Sequence, residues 1–135
     1  MSGISEFLQA FLRDSVSSYE ELETLLLLAR QHERSWTDVE LADSLKVPVE
    51  SITQALASLA AVEGLLRSDT FAGRQRFQYA PKSKMMQHVV EELAAAYSEQ
   101  RLAIVQVMSS NALDRVRSSA IRRFANAFRI ERPKK

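Results

Sequence analysis

The feature that most constrains the fold of this chain is a proline between two short segments with helical apolar spacing. Apolar residues recur three and four positions apart on both sides of it: Leu41, Ala42, Leu45, Ile52, Leu56 and Leu59. Pro48 is excluded from a helix interior but suits the first turn, so the second helix begins directly after it. Gly64 predicts where that helix ends. The pattern predicts two short helices joined by a tight turn, which is a helix-turn-helix.

Two further helices precede this motif. The first, over about residues 4–12, has apolar residues at helical spacing. The second begins at a capping-box pattern, in which Glu21 follows Ser18 by three residues. A second capping box, from Thr37 to Glu40, starts the first helix of the motif.

A short strand pair follows the motif. Two alternating segments, 65–69 and 75–80, flank a tip at Ala72-Gly73-Arg74. We therefore predict a mainly α fold with a small β-hairpin wing, that is, a winged helix-turn-helix with flanking N- and C-terminal helices. The chain divides into an N-terminal amphipathic helix (1–17), the winged helix-turn-helix domain (18–81) and a C-terminal helical region (82–135).

A heptad pattern marks the C-terminal region and predicts one long helix over residues 83–110. Its positions alternate four and three apart: Met86, Val90, Leu93, Tyr97, Gln100, Ile104 and Val107. Such a seam predicts a homodimer formed through residues 83–110. The alternative is that the seam packs on its own domain.

The last segment combines an amphipathic pattern with positive charge. Asn111 separates it from the long helix, and its apolar positions predict a final helix that packs on the long one: Leu113, Val116, Ala120, Phe124 and Phe128. Residues 1–63 carry 4 basic and 11 acidic side chains, whereas residues 64–135 carry 14 and 6. This asymmetry predicts an anionic partner for the C-terminal half, or pairing of the basic tail with the acidic front.

Composition excludes several kinds of site. The 135 residues include no cysteine, which excludes disulfides and cysteine-ligated metals, and only 3 glycines, which leave no phosphate-binding loop. His88 has the spacing of a metal ligand with Glu91 and Glu92, but a solvated histidine beside a carboxylate is the simpler interpretation. We predict no enzyme, no metal and no cofactor. Without a signal-peptide pattern or an apolar run longer than residues 25–29, we expect a cytoplasmic protein with no membrane partner.

Residues 18–81 resemble the winged-helix domain of small bacterial transcription regulators of the MarR and ArsR kind. The matching residues are Leu41, Ala42 and Leu45 in the first helix of the motif, Ile52, Leu56 and Leu59 in the second, and Gly64-Leu65-Leu66-Arg67 at the entry to the wing. The resemblance implies a sequence-specific transcription regulator that binds double-stranded DNA as a homodimer. The helices at both ends resemble the dimerisation apparatus of MarR-like proteins.

The resemblance also implies which residues contact DNA: Val49, Glu50, Ser51, Thr53 and Gln54 of the second helix of the motif, and Arg74 and Arg76 of the wing. The nearby cations Lys46, Lys82 and Lys84 are added to these predicted contacts because the second helix of the motif has no basic residue of its own. Gln54 suits the edge of an adenine, while Ser51 or Thr53 suits a base or a phosphate. The wing arginines suit phosphates or the minor groove.

The residues themselves leave a second function open. No Lys or Arg occurs from Pro48 to Glu63, and Glu50 lies near the start of the second helix of the motif. A helix that enters the groove of DNA normally brings cations, because phosphate neutralisation supplies most of the affinity. Winged helices also dock on proteins. The alternative is therefore a winged-helix adaptor that docks on a protein partner, for example in the transcription machinery.

Overall fold

Six helices and one antiparallel hairpin make up the part of the chain that the structure, a computed structural model, describes: residues 4–131 for the backbone and 4–125 for the side chains. In chain order the elements are α1 (Glu6–Ser15), α2 (Tyr19–Arg30), α3 (Asp38–Leu45), α4 (Val49–Ala60), β1 (Leu66–Phe71), β2 (Arg74–Tyr79), α5 (Lys84–Glu99) and α6 (Arg101–Glu131). This order confirms the predicted fold class. The helix-turn-helix is α3 and α4, and the wing is β1 and β2.

The helix starts follow the predicted capping residues. Thr37 Oγ1 accepts a hydrogen bond from the Glu40 amide at 3.2 Å, and Glu40 Oε1 accepts one from the Thr37 amide at 2.9 Å, which completes the capping box of α3. Ser18 caps α2 by accepting from the Glu21 amide at 3.1 Å. The Glu21 carboxylate, however, accepts from the Ser17 amide at 2.8 Å. Glu21 therefore pairs with the Ser17 amide, one residue before the Ser18 amide that a capping box would use.

The turn between α3 and α4 depends on a left-handed residue. Lys46 ends α3 with φ 61° and ψ 46°, and Pro48 directly precedes α4. The Val47 amide donates to the Ala42 carbonyl at 3.1 Å, which closes the turn. Helix α4 then packs against α2 and α3. The turn thereby fixes which side of α4 is buried and which side meets solvent.

The hairpin has a two-residue turn at its tip. β1 and β2 pair in antiparallel register up to Phe71 opposite Arg74. Ala72 and Gly73 have φ of 54° and 78°, and a positive φ at both central residues is what a type I′ turn requires. The turn is therefore Ala72-Gly73, and Arg74 is the first residue of β2.

Trp36 adds a strand residue that the sequence did not predict. Its amide donates to the Phe77 carbonyl, and the Phe77 amide donates to the Trp36 carbonyl, both at 2.8 Å. Both side chains are buried. This bridge ties the wing to the start of α3 and so holds the hairpin beside the helix-turn-helix.

The boundary between the C-terminal helices lies elsewhere than predicted. We expected one helix over 83–110 and a break at Asn111, but α5 ends at Glu99 and α6 continues through Asn111. Gln100, with φ −133° and ψ 49°, forms the break. Helix α1 contacts both α5 and α6, and a change of direction at Gln100 lets both of them pack on it. Asn111 remains helical because asparagine costs only about 0.7 kcal/mol in a helix.

The heptad seam is covered by its own domain. Val90, Leu93 and Ile104 are at most 1% exposed within the main hydrophobic core. Met86, Tyr97 and Val107 pack against that core. The most buried positions of the seam therefore pack on their own domain, as the alternative interpretation expected.

Helix α6 carries large apolar side chains that are exposed to solvent. Five large apolar side chains are more than half exposed along its described part: Leu102, Leu113, Val116, Ile121 and Phe124. The expectation that Phe124 is buried against the long helix is wrong, since its side chain is 64% exposed. The side chain of Phe128 lies outside the described residues, as does the Pro133-Lys134-Lys135 tail.

Candidate nucleic-acid interface

One side of α4 is packed and the other is exposed. Ile52, Leu56 and Leu59 are buried in the core. On the opposite side lies a set of exposed residues spaced three or four apart, which we call the α4 face: Glu50, Thr53, Gln54, Ala57 and Ala61. Three of the predicted DNA contacts thus share one surface. Glu50 carries the only charge of this face, and its other side chains are short or neutral.

A groove of about 450 Å³ runs between α4 and the wing. Its walls come from three elements: Thr53, Leu56, Ala57 and Ala60 of α4, Arg74, Gln75 and Phe77 of β2, and Asp38 of α3. Thr53 and Arg74, predicted separately as contacts of the helix and of the wing, therefore line one surface. The groove therefore lies between the two predicted contact elements, α4 and the wing.

The two wing arginines differ in their surroundings. Arg76 donates from Nε to Asp69 Oδ1 and from Nη2 to Asp69 Oδ2, both at 3.1 Å. Its guanidinium carbon also lies 4.5 Å from the centre of the Phe71 ring. Arg74 is exposed and lines the groove. Arg76 is thus held in place with its charge compensated, whereas Arg74 presents its charge to the groove.

The predicted contacts around the turn are not equally accessible. Lys46 is exposed in the turn itself. Val49 packs against the hydrophobic core, and Ser51 is half-buried, its amide donating to the Pro48 carbonyl at 3.1 Å. Of these three, Lys46 is therefore the residue best placed to meet a phosphate.

Lys82 and Lys84 lie at the base of the wing, not at its tip. The Lys82 amide donates to the Gly64 carbonyl at 2.9 Å, and Lys84 begins α5. A strand of six residues spans roughly 20 Å, so this base is about that far from the tip at Gly73. Both lysines are exposed. The structure does not bring them together with the groove.

Sequence reasoning missed several residues of this surface. Ala57 and Ala60 line the groove, and Phe71 is 62% exposed beside the wing tip. The signal for Ala57 was present, because it follows Thr53 by four residues and so shares its side of the helix. An alanine side chain carries no hydrogen-bond donor or acceptor, so the sequence alone does not mark it as a contact residue.

A second concave surface shares no residue with the groove. It is an open cleft of about 780 Å³ between α2, the end of β2, α5 and the start of α6. Tyr79 lines it, and burial, with a smaller contribution from the Glu91 carboxylate, raises the pKa of Tyr79 to about 12. The phenol is therefore protonated at neutral pH. None of the predicted DNA contacts lines this cleft, so we assign it no part in the interface.

The described residues form neither a cluster of metal ligands nor a helix suited to cross a membrane. Among the side chains of residues 4–125, no three or more of His, Cys, Asp or Glu are grouped so that they could hold a metal ion. His88 is exposed on α5. In the same range, no helix combines the length and the apolar character needed to cross a membrane.

Comparison with known proteins identifies the fold. MepR, a transcription regulator of the Staphylococcus aureus multidrug efflux pump MepA, superposes with a TM-score of 0.53 at 15% identity, covering 89% of this chain and 87% of that one. The adhesin competence repressor AdcR of Streptococcus pyogenes gives 0.51 at 16% identity, covering 85% and 82%. The S. aureus MepR–DNA complex gives 0.52 at 16% identity, covering 84% and 89%. No family model and no curated protein matches the sequence. The chain thus has the winged-helix fold of these transcription regulators, as its resemblance to MarR-like proteins implied.

Proposed function

We propose that this protein is a non-enzymatic transcription regulator of the cytoplasm, which binds double-stranded DNA as a homodimer. Helix α4 enters the major groove and the wing meets the adjacent backbone. The observation that carries this proposal is the groove between α4 and the wing, which both Thr53 and Arg74 line. The short side chains of the α4 face support it, because they allow a helix to approach base edges closely. Regulators with this fold include one solved with DNA.

The proposed interface has few cations, which predicts a shallow salt dependence. Lys46 and Arg74 are its exposed basic side chains, since Arg76 is compensated by Asp69. The logarithm of affinity falls with the logarithm of salt concentration by about 0.9 per neutralised phosphate. A dimer that uses two cations per protomer would therefore show a slope of about −3.6.

A shift assay on duplex DNA from the protein's own upstream region tests the proposal. We expect a complex at low salt and a slope between about −3 and −5 as salt is raised. A scrambled duplex of equal length is the control, and it should bind more weakly at every salt concentration. Failure to shift any duplex, even at low salt, would contradict DNA binding.

Removing the Arg74 side chain should weaken DNA binding far more than removing the ion pair between Arg76 and Asp69. The Arg74→Ala variant is expected to bind all sequences less tightly and to lower the steepness of the salt slope by about 2 in a dimer, because one phosphate contact is lost per protomer. The matched control is Arg76→Ala combined with Asp69→Ala, which removes an arginine but keeps the net charge. Its affinity should stay close to that of the unaltered protein. A larger loss in the control than in Arg74→Ala would overturn this assignment.

For the homodimer we propose the outer side of α6 in place of the heptad seam. Four exposed apolar residues, which we call the α6 outer face, fall within about 60° of arc at 100° per residue: Leu102, Leu113, Val116 and Ala120. Ile104 and Met108, which pack into the core, lie on the roughly opposite side of the same helix. Apolar surface on both sides of one helix is typical of a helix placed between its own domain and a partner.

The second candidate function is an adaptor that docks on a protein partner. It is favoured by the α4 face, which has no Lys or Arg and carries Glu50. It is also favoured by Asp38 of α3, which lines the groove beside that face. The shift assay separates the two functions, because an adaptor would bind neither the upstream duplex nor its scrambled control.

A further inference from the structure

The α4 face is chemically unusual for a helix placed against bases, since its side chains are Glu50, Thr53, Gln54 and two alanines. Arginine and lysine are the side chains that pair with guanine in the major groove. Residues 48–63 include neither. Guanine is therefore the base that this helix is least equipped to select.

The hydroxyl group of Thr53 is engaged within α4, which leaves its methyl group for contacts in the groove. Its hydroxyl Oγ1 donates to the Val49 carbonyl at 3.0 Å, one turn earlier in α4. The hydroxyl hydrogen is thus already used inside the helix. The γ-methyl group is the part of the side chain that is left for an apolar contact, and Thr53 is exposed at the wall of the groove.

Ala57 extends this methyl surface by one turn. It is exposed, and it lines the same groove wall as Thr53. Gln54 is exposed beside them on the α4 face. Methyl groups of alanine and threonine suit the 5-methyl group of thymine, and a glutamine amide suits adenine N6 and N7. The three residues together therefore match the two halves of A·T base pairs.

We propose that α4 selects A·T base pairs, with Thr53 and Ala57 contacting thymine methyl groups and Gln54 pairing with an adenine edge. This inference rests on the proposed DNA-binding function and names what that site recognises. Glu50, at the start of the helix, accepts hydrogen bonds only, so it suits an exocyclic amino group such as cytosine N4 at the flank of the A·T segment. The methyl contacts and one amide then provide the base selectivity. The cations of the turn and the wing contact phosphates and so fix the position of the protein on the duplex.

Two measurements on the full-length protein test the proposal. Selection from a pool of duplexes with random sequence should enrich consecutive A·T pairs in each half-site. In the selected duplex, thymines are then replaced one at a time by deoxyuridine, which removes only the 5-methyl group. At one or two positions we expect roughly fourfold weaker binding, the factor that corresponds to losing burial of one methyl group.

Substitutions at Thr53 provide the matched pair. Thr53→Ser keeps the hydroxyl and loses the methyl group, so it should bind the thymine duplex roughly fourfold more weakly and show no further loss with deoxyuridine at the same position. Thr53→Val keeps a methyl group at that site and loses the hydroxyl, so it should retain the discrimination against deoxyuridine.

Gln54→Ala should lower affinity about tenfold or more and relax the preference for adenine at one position.

The outcomes separate this inference from the proposed function. If the protein binds DNA but selects G·C pairs at the α4 contacts, the inference is wrong and the regulator proposal stands. The same holds if Thr53→Ser loses as much affinity to deoxyuridine as the unaltered protein does. If no duplex is bound or selected, both proposals fall together.

Discussion

Replacing Leu113 and Val116 together with aspartate should convert a dimer into a folded monomer. Both side chains lie on the α6 outer face, 56% and 65% exposed in the single chain, so the substitution leaves the core of the protomer untouched. In a dimer the same positions are covered by the partner helix. Four carboxylates would then be forced into an apolar contact, and burying unpaired charges is strongly unfavourable.

The measurement is sedimentation at micromolar concentration together with circular dichroism. We expect the unaltered protein to sediment as a dimer and the double variant as a monomer with the same helix content. DNA affinity should fall by about 10²–10⁴-fold, because a monomer engages only one half-site. Ser118→Asp is the control, since it adds one carboxylate at an exposed position of the same helix, more than about 100° around its axis from either residue. A stable wild-type monomer at this concentration would contradict the proposed interface.

The winged part of the fold follows from the sequence because its signals are local. The capping box at Thr37, the proline at the start of α4 and the glycine of the hairpin tip each act over three or four residues. Such signals place helix starts and turns without knowledge of the rest of the molecule. The bridge from Trp36 to Phe77 is not local, since it joins residues far apart in sequence, and it was missed.

The C-terminal helices show where local reasoning stops. The spacing of Val90, Leu93 and Ile104 correctly identifies a buried stripe, but spacing does not say whether a partner or the same domain covers it. The break at Gln100 depends on how α5 and α6 meet α1, which is a tertiary contact. Helix α6 carries apolar residues on two sides. The heptad spacing describes only one of these sides, and it is the side that the protein's own core covers.

Two of the predicted contacts meet at one surface of the structure. Thr53 and Arg74 were named from the resemblance, and the structure places both at one groove. The ion pair of Arg76 with Asp69 arises from cross-strand pairing in the hairpin, so it depends on strand register. The position of Lys82 at the far end of the wing depends on the same register. Which cations remain available is therefore a property of the folded chain.

Replacing Leu93 and Ile104 with aspartate should unfold the protein instead of separating a dimer. Both side chains are fully buried in the core of one protomer. Truncating either to alanine is expected to cost about 2–5 kcal/mol, through lost apolar burial and a residual cavity. Two such losses approach the whole stability of a typical domain, about 5–15 kcal/mol. Aspartate adds the further cost of a buried, unpaired carboxylate, so we expect no folded state for the double variant.

Graded variants make the distinction measurable. Leu93→Ala should shift the urea midpoint, followed by circular dichroism, by the equivalent of about 2–5 kcal/mol. Met85→Ala is the control on the same helix, because Met85 is 66% exposed and surface substitutions usually change stability by less than about 0.5 kcal/mol. If Leu93 lay in a dimer seam, its substitution would lower the dimerisation constant and leave a folded monomer. If it lies in the protomer core, the destabilisation persists when the same substitution is made in the Leu113→Asp, Val116→Asp monomer, where no dimer contact remains to be lost.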